Sequence, residues 1–310
     1  MVRGNMGRLE LLLRARLGNF VPAGSRYLLN KGWSRKVANF VITPLTRDDN
    51  TSREEISEYM RRTFFKQAVV PSSLGLWKRD EGADAMFEKE MDLYLDSGLS
   101  FVVRSDETGE LKGCFLNSYW PRDQNYDAIH GFDMNEWHKV SAKIAMDVCP
   151  ERPEPLWREL QYQHMYNECQ ITLAKHGHHF CAYLGLGYVE PEVRGLKLPE
   201  KVYGDLGKVI YLYNGMWMAM PTVEALRNRK SQVKYGKEVG YVSYEDQVLA
   251  TSEGRMVFRD HAEKGGMSLK VSDLSKLPLV LQYVIAVCQT LMTMSFARPL
   301  VRFVAQSITH

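Results

Sequence analysis

Apolar and polar positions alternate between two periods along the middle of this chain, and the order of the switches predicts a mixed α/β domain. Phe40-Val41-Ile42-Thr43-Pro44-Leu45 is a short β-rich run and predicts a first strand. Thr51 or Ser52 can cap the helix that follows, with Glu54 and Glu55 in its first turn. Ile56, Tyr59, Met60, Thr63 and Phe64 then recur at helical spacing. Residues 83–97 predict a second helix, carrying Met86, Phe87, Met91, Leu93, Tyr94 and Leu95 and ended by Gly98. Leu99–Arg104 and Leu111–Tyr119 are strand-like runs around Asp106-Glu107-Thr108-Gly109-Glu110, a hairpin signal. After a long insertion comes the apolar run Tyr183–Val189, then a helical segment from about Glu200, then a short apolar run at Met216–Met220. Pro221-Thr222 predicts another helix start, with helix to about Val239 and a stop at Gly240-Tyr241. Glu253–Phe258 reads as a turn into a last strand.

The stretch between the Tyr183–Val189 run and the next helix carries the most chemistry. It reads Tyr188-Val189-Glu190-Pro191-Glu192-Val193-Arg194-Gly195-Leu196-Lys197-Leu198-Pro199. A strand, a basic turn and a helix start form an anion site, because the first N–H groups of a helix lack internal partners. An ordinary strand-turn-helix with a basic turn would look the same.

Val-x-Pro-Glu-x-Arg-Gly resembles the acetyl-CoA signature of the GNAT N-acetyltransferases. The order of elements from about Phe40 to Val271 is similar to that family's, and Phe64-Phe65, Pro71-Ser72-Ser73-Leu74-Gly75 and the Ser231–Tyr241 segment resemble its arylalkylamine N-acetyltransferase-like group. The resemblance implies an α/β fold: the GNAT acyl-CoA N-acyltransferase fold, with a mixed, mostly antiparallel central sheet flanked by helices. It divides the chain into a basic N-terminal extension (1–38), a GNAT domain (39–271) and a C-terminal hydrophobic helix (272–310). It implies acetyl-CoA as co-substrate, a small amine, aromatic or not, as acceptor, and direct acetyl transfer without a covalent intermediate. Gly187, Tyr188 and Val189 would pair with the pantetheine arm. Arg194, Gly195, Leu196, Lys197, Leu198 and Pro199 would take the diphosphate, and Asn228 and Ser231 would complete the cofactor site. The family pattern has glycine at the position of Lys197 and glycine or alanine at that of Pro199. Val70 stands where insect-type members carry a glutamate before the proline.

That chemistry needs an acid for the leaving thiolate and a base for the ammonium. Tyr235 keeps the family's spacing from Asn228 and Ser231, with one extra residue before Gly240, so it is either the acid or a packing residue. His178 and His179 precede the central strand; a histidine pair there relays a proton or lies in a surface loop. Glu190 is a further base candidate and faces away from Val189 by strand alternation. The insertion Pro121–Trp157 holds Tyr126, Phe132, Trp137 and Trp157 beside Asp123, Asp127, Asp133 and Glu136, the residue types of an amine pocket.

Composition narrows the alternatives. The chain is 310 residues long, 45% hydrophobic and 25% charged, ordinary for a globular protein. Its five cysteines are scattered and odd in number, which argues against a disulfide framework or a zinc site and suits a reducing, intracellular, cytoplasmic setting. No metal is expected. Residues 1–47 contain nine basic residues against Glu10 alone, which fits a packed helix, a mitochondrial leader or a membrane-surface segment. The remainder is slightly acidic and holds no nucleic-acid reader motif. Residues 277–297 are free of charge over 21 positions, long enough for a membrane span, or for a helix packed on its own domain or on a partner copy. The rival to an enzyme is a catalytically impaired GNAT-fold binding or scaffold protein, membrane-attached or not.

Overall fold

The structure is a computed structural model that describes residues 34–45, 47, 53–73, 77, 87, 91–122, 171, 173–223, 227–228, 236–245, 258–272, 277–279, 282–283 and 285–286. Eight strands form one sheet: β1 (Arg35–Val37), β2 (Phe40–Pro44), β3 (Phe101–Ser105), β4 (Leu111–Pro121), β5 (Phe180–Val189), β6 (Gly215–Ala219), β7 (Gly236–Ser243) and β8 (Gly266–Ser272). Their order is β1-β2-β3-β4-β5-β6-β8-β7. Every pairing is antiparallel except β5 with β6, which is parallel. The mixed, mostly antiparallel sheet expected from sequence is therefore present. β1 lies inside the stretch expected to be an extension, folded back onto β2 through Ala38 in the left-handed region (φ 52°).

One face of the sheet is covered by α1 (Arg53–Arg62), the short turns α2 (Phe64–Gln67) and α3 (Val69–Ser73), and α4, residues 91–96. Ile56, Tyr59 and Met60 of α1 pack with Phe65, Phe87, Met91, Tyr94 and Leu95 against Val102, Cys114 and Leu116. Each such side chain contributes about 2 kcal/mol by leaving water. The other face packs Ile42, Phe101, Val103, Phe115 and Val189 against Val193, Leu198 and Val202. The last two belong to α6 (Leu198–Leu212), which the turn α5 (Pro191–Arg194) introduces. Two glycines punctuate the frame with positive φ: Gly98 after α4 (62°) and Gly109 in the β3–β4 turn (72°).

One expectation is corrected. Helix does not run to Val239, and Gly240-Tyr241 is no helix stop: β7 occupies Gly236–Ser243, paired along β8. Gly236 and Gly240 would each weaken a helix by about 1 kcal/mol, whereas Val239, Tyr241 and Val242 suit a strand. Among the described residues the last strand begins at Gly266, after a 3-10 turn (Arg259–Lys264); the expected turn into a strand at Glu253–Phe258 lies, except for Phe258, outside the described residues. The insertion beyond Arg122, most of the basic N-terminus and residues 287–310 also lie outside them.

Near the C-terminus, Leu277 and Ile285 are buried, while Leu279 and Tyr283 are exposed. Among the described residues, no helix is long and apolar enough to cross a membrane.

The β7–β8 edge carries a charged cluster. Arg227 makes two 2.7 Å hydrogen bonds to Glu238 and lies 3.9 Å from the centre of the Tyr241 ring. Ser268 donates to Glu238 at 2.6 Å. The Arg227 hydrogen bonds, ahead of the opposing effect of burial, hold the Glu238 carboxyl below its usual range. A depressed folded pKa stabilises the fold at pH above the unfolded glutamate range and loses that contribution as pH falls through the folded value. The melting temperature of Glu238→Gln is therefore expected to fall below wild type at pH 7 and to converge with it toward pH 3, near or below the usual glutamate range. Parallel curves across that range would remove this role.

Candidate active site

β5 and β6 run side by side from Phe180↔Gly215 to Leu184↔Ala219. Beyond that rung β5 continues through Val189 on β4, and among the described residues no strand pairs its other edge. The sheet therefore opens as a fork. At its base Leu116 pairs with Leu186 while Asn117 pairs with Leu184, so Gly185 is an extra residue on β5. A Cβ on Gly185 would meet the Leu116 carbonyl at 2.9 Å, and one on Gly187 would meet the Phe115 ring at 2.8 Å. Glycine is thus required twice where β5 bulges, and a bulge re-aims the backbone of its strand.

A buried polar network supports the bulge from β4. The Asn117 side chain donates to the Leu99 carbonyl at 2.8 Å and accepts from the Tyr203 hydroxyl at 3.4 Å. Ser100 accepts from the Asn117 amide at 2.9 Å, and Ser97 and Ser100 donate to the Asn117 carbonyl at 2.7 and 3.1 Å. Tyr203, on α6, sits edge-on to Phe101 and Phe115, and burial raises its pKa.

At the open end, the Glu190 amide donates to the Lys112 carbonyl at 2.9 Å, and α5 then turns the chain into α6. Helix α6 starts at Leu198, two residues before the expected Glu200. Gly195 has ordinary helical φ (−66°). Lys197, at the position of the family's glycine, takes the left-handed conformation with φ 53°. A side chain there costs about 1 kcal/mol. Pro199 lies in the first turn of α6, where its missing N–H breaks no helical bond. It also supplies no donor to an anion. Lys197→Gly is expected to stabilise the chain by about 0.5–1 kcal/mol and leave the turn's path unchanged. Urea unfolding checks this, and a loss of stability would show that the lysine side chain holds the turn.

The Arg194 guanidinium does not project from this turn. Its Nε donates to the Val189 carbonyl at 3.2 Å and an Nη donates to the Tyr188 hydroxyl at 3.2 Å. It lies over the Tyr188 ring at 5.3 Å. Gln67 donates to the same hydroxyl at 3.0 Å. Glu190 shares the sheet face of Tyr188, as alternation predicts, and its charge is the second cause, after burial, of a raised Tyr59 pKa. The Tyr59 hydroxyl is buried and has no hydrogen-bond partner among the described residues.

The structure brings Gly187, Tyr188, Val189, Glu190 and the Arg194–Pro199 turn together at the open end of the fork. His178 and His179 sit at the other end of β5. From His178 to Gly185 the chain advances about 20 Å at strand spacing. His178 is buried, its Nδ1 lies 3.3 Å from Asn214 Oδ1, and burial first, against that hydrogen bond, lowers its pKa. The His179 amide donates to the Asn214 carbonyl at 2.9 Å. Asn228 lies beside Arg227, whose carbonyl accepts from Lys270. Ser231 and Tyr235 lie outside the described residues. Sequence reasoning missed Asn117, Tyr203 and Gln67. Of these the Gly185-Leu186-Gly187 pair was the available signal, since glycine inside a strand marks a bulge. Among the described residues, no group of three His, Cys, Asp or Glu could hold a metal ion.

No protein-family model matches the chain, and no curated protein matches it. Solved structures do. Arylalkylamine N-acetyltransferase 2 from Aedes aegypti superposes with a TM-score of 0.54 at 12% identity, covering 75% of this chain and 98% of that one. The fold is the GNAT fold. A mosquito arylalkylamine N-acetyltransferase-like 5b has a TM-score of 0.49 at 12% identity, with 75% and 98% covered. The Drosophila melanogaster polyamine N-acetyltransferase has 0.45 at 10%, with 75% and 98% covered. In the GNAT fold seen here, the parallel pair β5–β6 is the place where the sheet divides, and the basic turn stands at the mouth of the division.

Proposed function

We propose that this protein is an acetyl-CoA-dependent N-acetyltransferase acting on a small amine. The observation that carries this reading is the fork: a β5 edge that no strand pairs among the described residues, with a glycine bulge at its base and a helix N-terminus at its mouth. The pantetheine arm would pair along Gly187, Tyr188 and Val189. The diphosphate would rest on the backbone of residues 194–199 and on the free first-turn amides of α6. Asn228 and Ser231 would complete the cofactor's surroundings.

The amine nitrogen attacks the thioester carbonyl, the C–S bond breaks, and the acetyl group moves to nitrogen. Backbone N–H groups re-aimed by the bulge would steady the oxyanion. The ammonium proton leaves to a base, for which Glu190, His178 and His179 are the candidates. Tyr235 would return a proton to the thiolate of CoA. The name of the Aedes aegypti enzyme supports an arylalkylamine as the acceptor class to try first.

The test is thiol release from acetyl-CoA by the full chain against aromatic monoamines and polyamines. Amine-dependent release is expected, with Tyr235→Phe slower by about 100-fold. A second reading, a GNAT-fold binding protein without turnover, rests on Lys197 in its left-handed position and on Val70. Binding of acetyl-CoA without release for any amine would favour that second reading.

A further inference from the structure

We infer that Arg194 is a positioning residue that, with Tyr188, clamps the donor turn to residues 64–73, and that it is not a ligand of the diphosphate. The second half rests on the acetyl-CoA reading; the first half does not.

The clamp is a chain of direct contacts across four elements. Arg194 closes α5 and turns back on its own strand, one edge on the Val189 carbonyl and another on the Tyr188 hydroxyl. The guanidinium also covers the Tyr188 ring, so its flat face is in use. The Tyr188 hydroxyl accepts a second hydrogen bond from Gln67, the last residue of α2. The Tyr188 ring meets Tyr59 of α1 edge-on at 6.1 Å. The neighbouring turns are themselves fixed: Phe65 stacks edge-on with Phe87 at 5.2 Å, and the Ala68 amide donates to the Phe64 carbonyl at 2.8 Å.

The faces point the same way. Tyr188 packs with the α1 cluster, whereas Val193 and Leu198, which bracket the anion turn, pack on the opposite face. The guanidinium is therefore drawn toward the α1 side while α6 packs on the other. Lys197 and Lys201 remain exposed at the start of α6, and the Lys201 amide donates to the Lys197 carbonyl at 3.2 Å. These two lysines supply the positive charge that a diphosphate would meet.

The experiment compares full-length wild type, Arg194→Gln, Arg194→Lys, Tyr188→Phe and the double variant Arg194→Gln/Tyr188→Phe. Amide hydrogen exchange of residues 64–73 is read without ligand, and acetyl-CoA is titrated at two salt concentrations. Each single variant should speed exchange in 64–73 by about fivefold, and the double variant no further, because both remove one shared contact. Arg194→Lys should behave like Arg194→Gln, since an ammonium cannot reproduce the two-edged contact. Any loss of acetyl-CoA affinity should be shared equally by Arg194→Gln, Arg194→Lys and Tyr188→Phe, with its salt dependence kept. Unchanged exchange in 64–73 would overturn the clamp. So would an affinity loss above about 30-fold in Arg194→Gln that Arg194→Lys restores and Tyr188→Phe does not share. If wild type binds no acetyl-CoA, the functional reading falls and the exchange measurement alone decides the clamp.

Discussion

Asn117→Ala should lower the melting temperature by about 8 °C, a large stability effect for one side chain at the fork. Asn117 is fully buried, and its side chain serves the Leu99 carbonyl and the Tyr203 hydroxyl. Alanine leaves both groups buried without that partner, at about 1–3 kcal/mol each. The backbone bonds from Ser97 and Ser100 survive, so the strand remains and the loss is local. The site should suffer too. Asn117 sits opposite Leu184 at the bulge, and Tyr203 reaches it from α6, the helix that would hold the diphosphate. Weaker acetyl-CoA binding should accompany the lower stability. Calorimetric unfolding within about 2 °C of wild type would show that the network is not what sets the base of the fork.

Gly195→Asp should abolish the cofactor site and spare the fold. Gly195 has a φ of −66°, and a Cβ added there meets nothing within 4 Å. The position therefore accepts a side chain without strain or clash, and stability should stay within about 0.5 kcal/mol. That same open space is where the diphosphate would lie. A carboxylate there sets like charges together, which costs several kcal/mol, so acetyl-CoA affinity should fall by about 100-fold or more. The pairing of intact melting with lost binding separates a blocked site from a damaged fold. Unchanged affinity in this variant would place the diphosphate elsewhere.

Much of the fold is legible in the sequence because each element states its own period. The Ile56-Tyr59-Met60 stripe, the Gly109 turn and the apolar run into Val189 all settle in the structure as their spacing predicts. β7 was misread because residues 221–235 carry helical composition and no sharp break precedes Gly236. Only the partner β8, distant in sequence, decides that segment. The site divides in the same way. The donor turn is visible because its residues are contiguous. The clamp joins Gln67, Tyr188 and Arg194 from separate elements, so no spacing rule reveals it. The histidine pair lies at the start of β5 and the basic turn at its end, and a ten-residue strand sets its two ends about 30 Å apart.

The central claim is that the fork and its basic turn form a working acyl-CoA site despite Lys197 and Pro199. Calorimetric titration of the full chain with acetyl-CoA tests it most directly, with Gly195→Asp titrated alongside. Saturable binding with a dissociation constant of about 1–100 μM, lost in that variant, is the expected result. A folded chain that gives no saturable binding would contradict the claim, and the function would then have to be sought among binding partners of a GNAT fold.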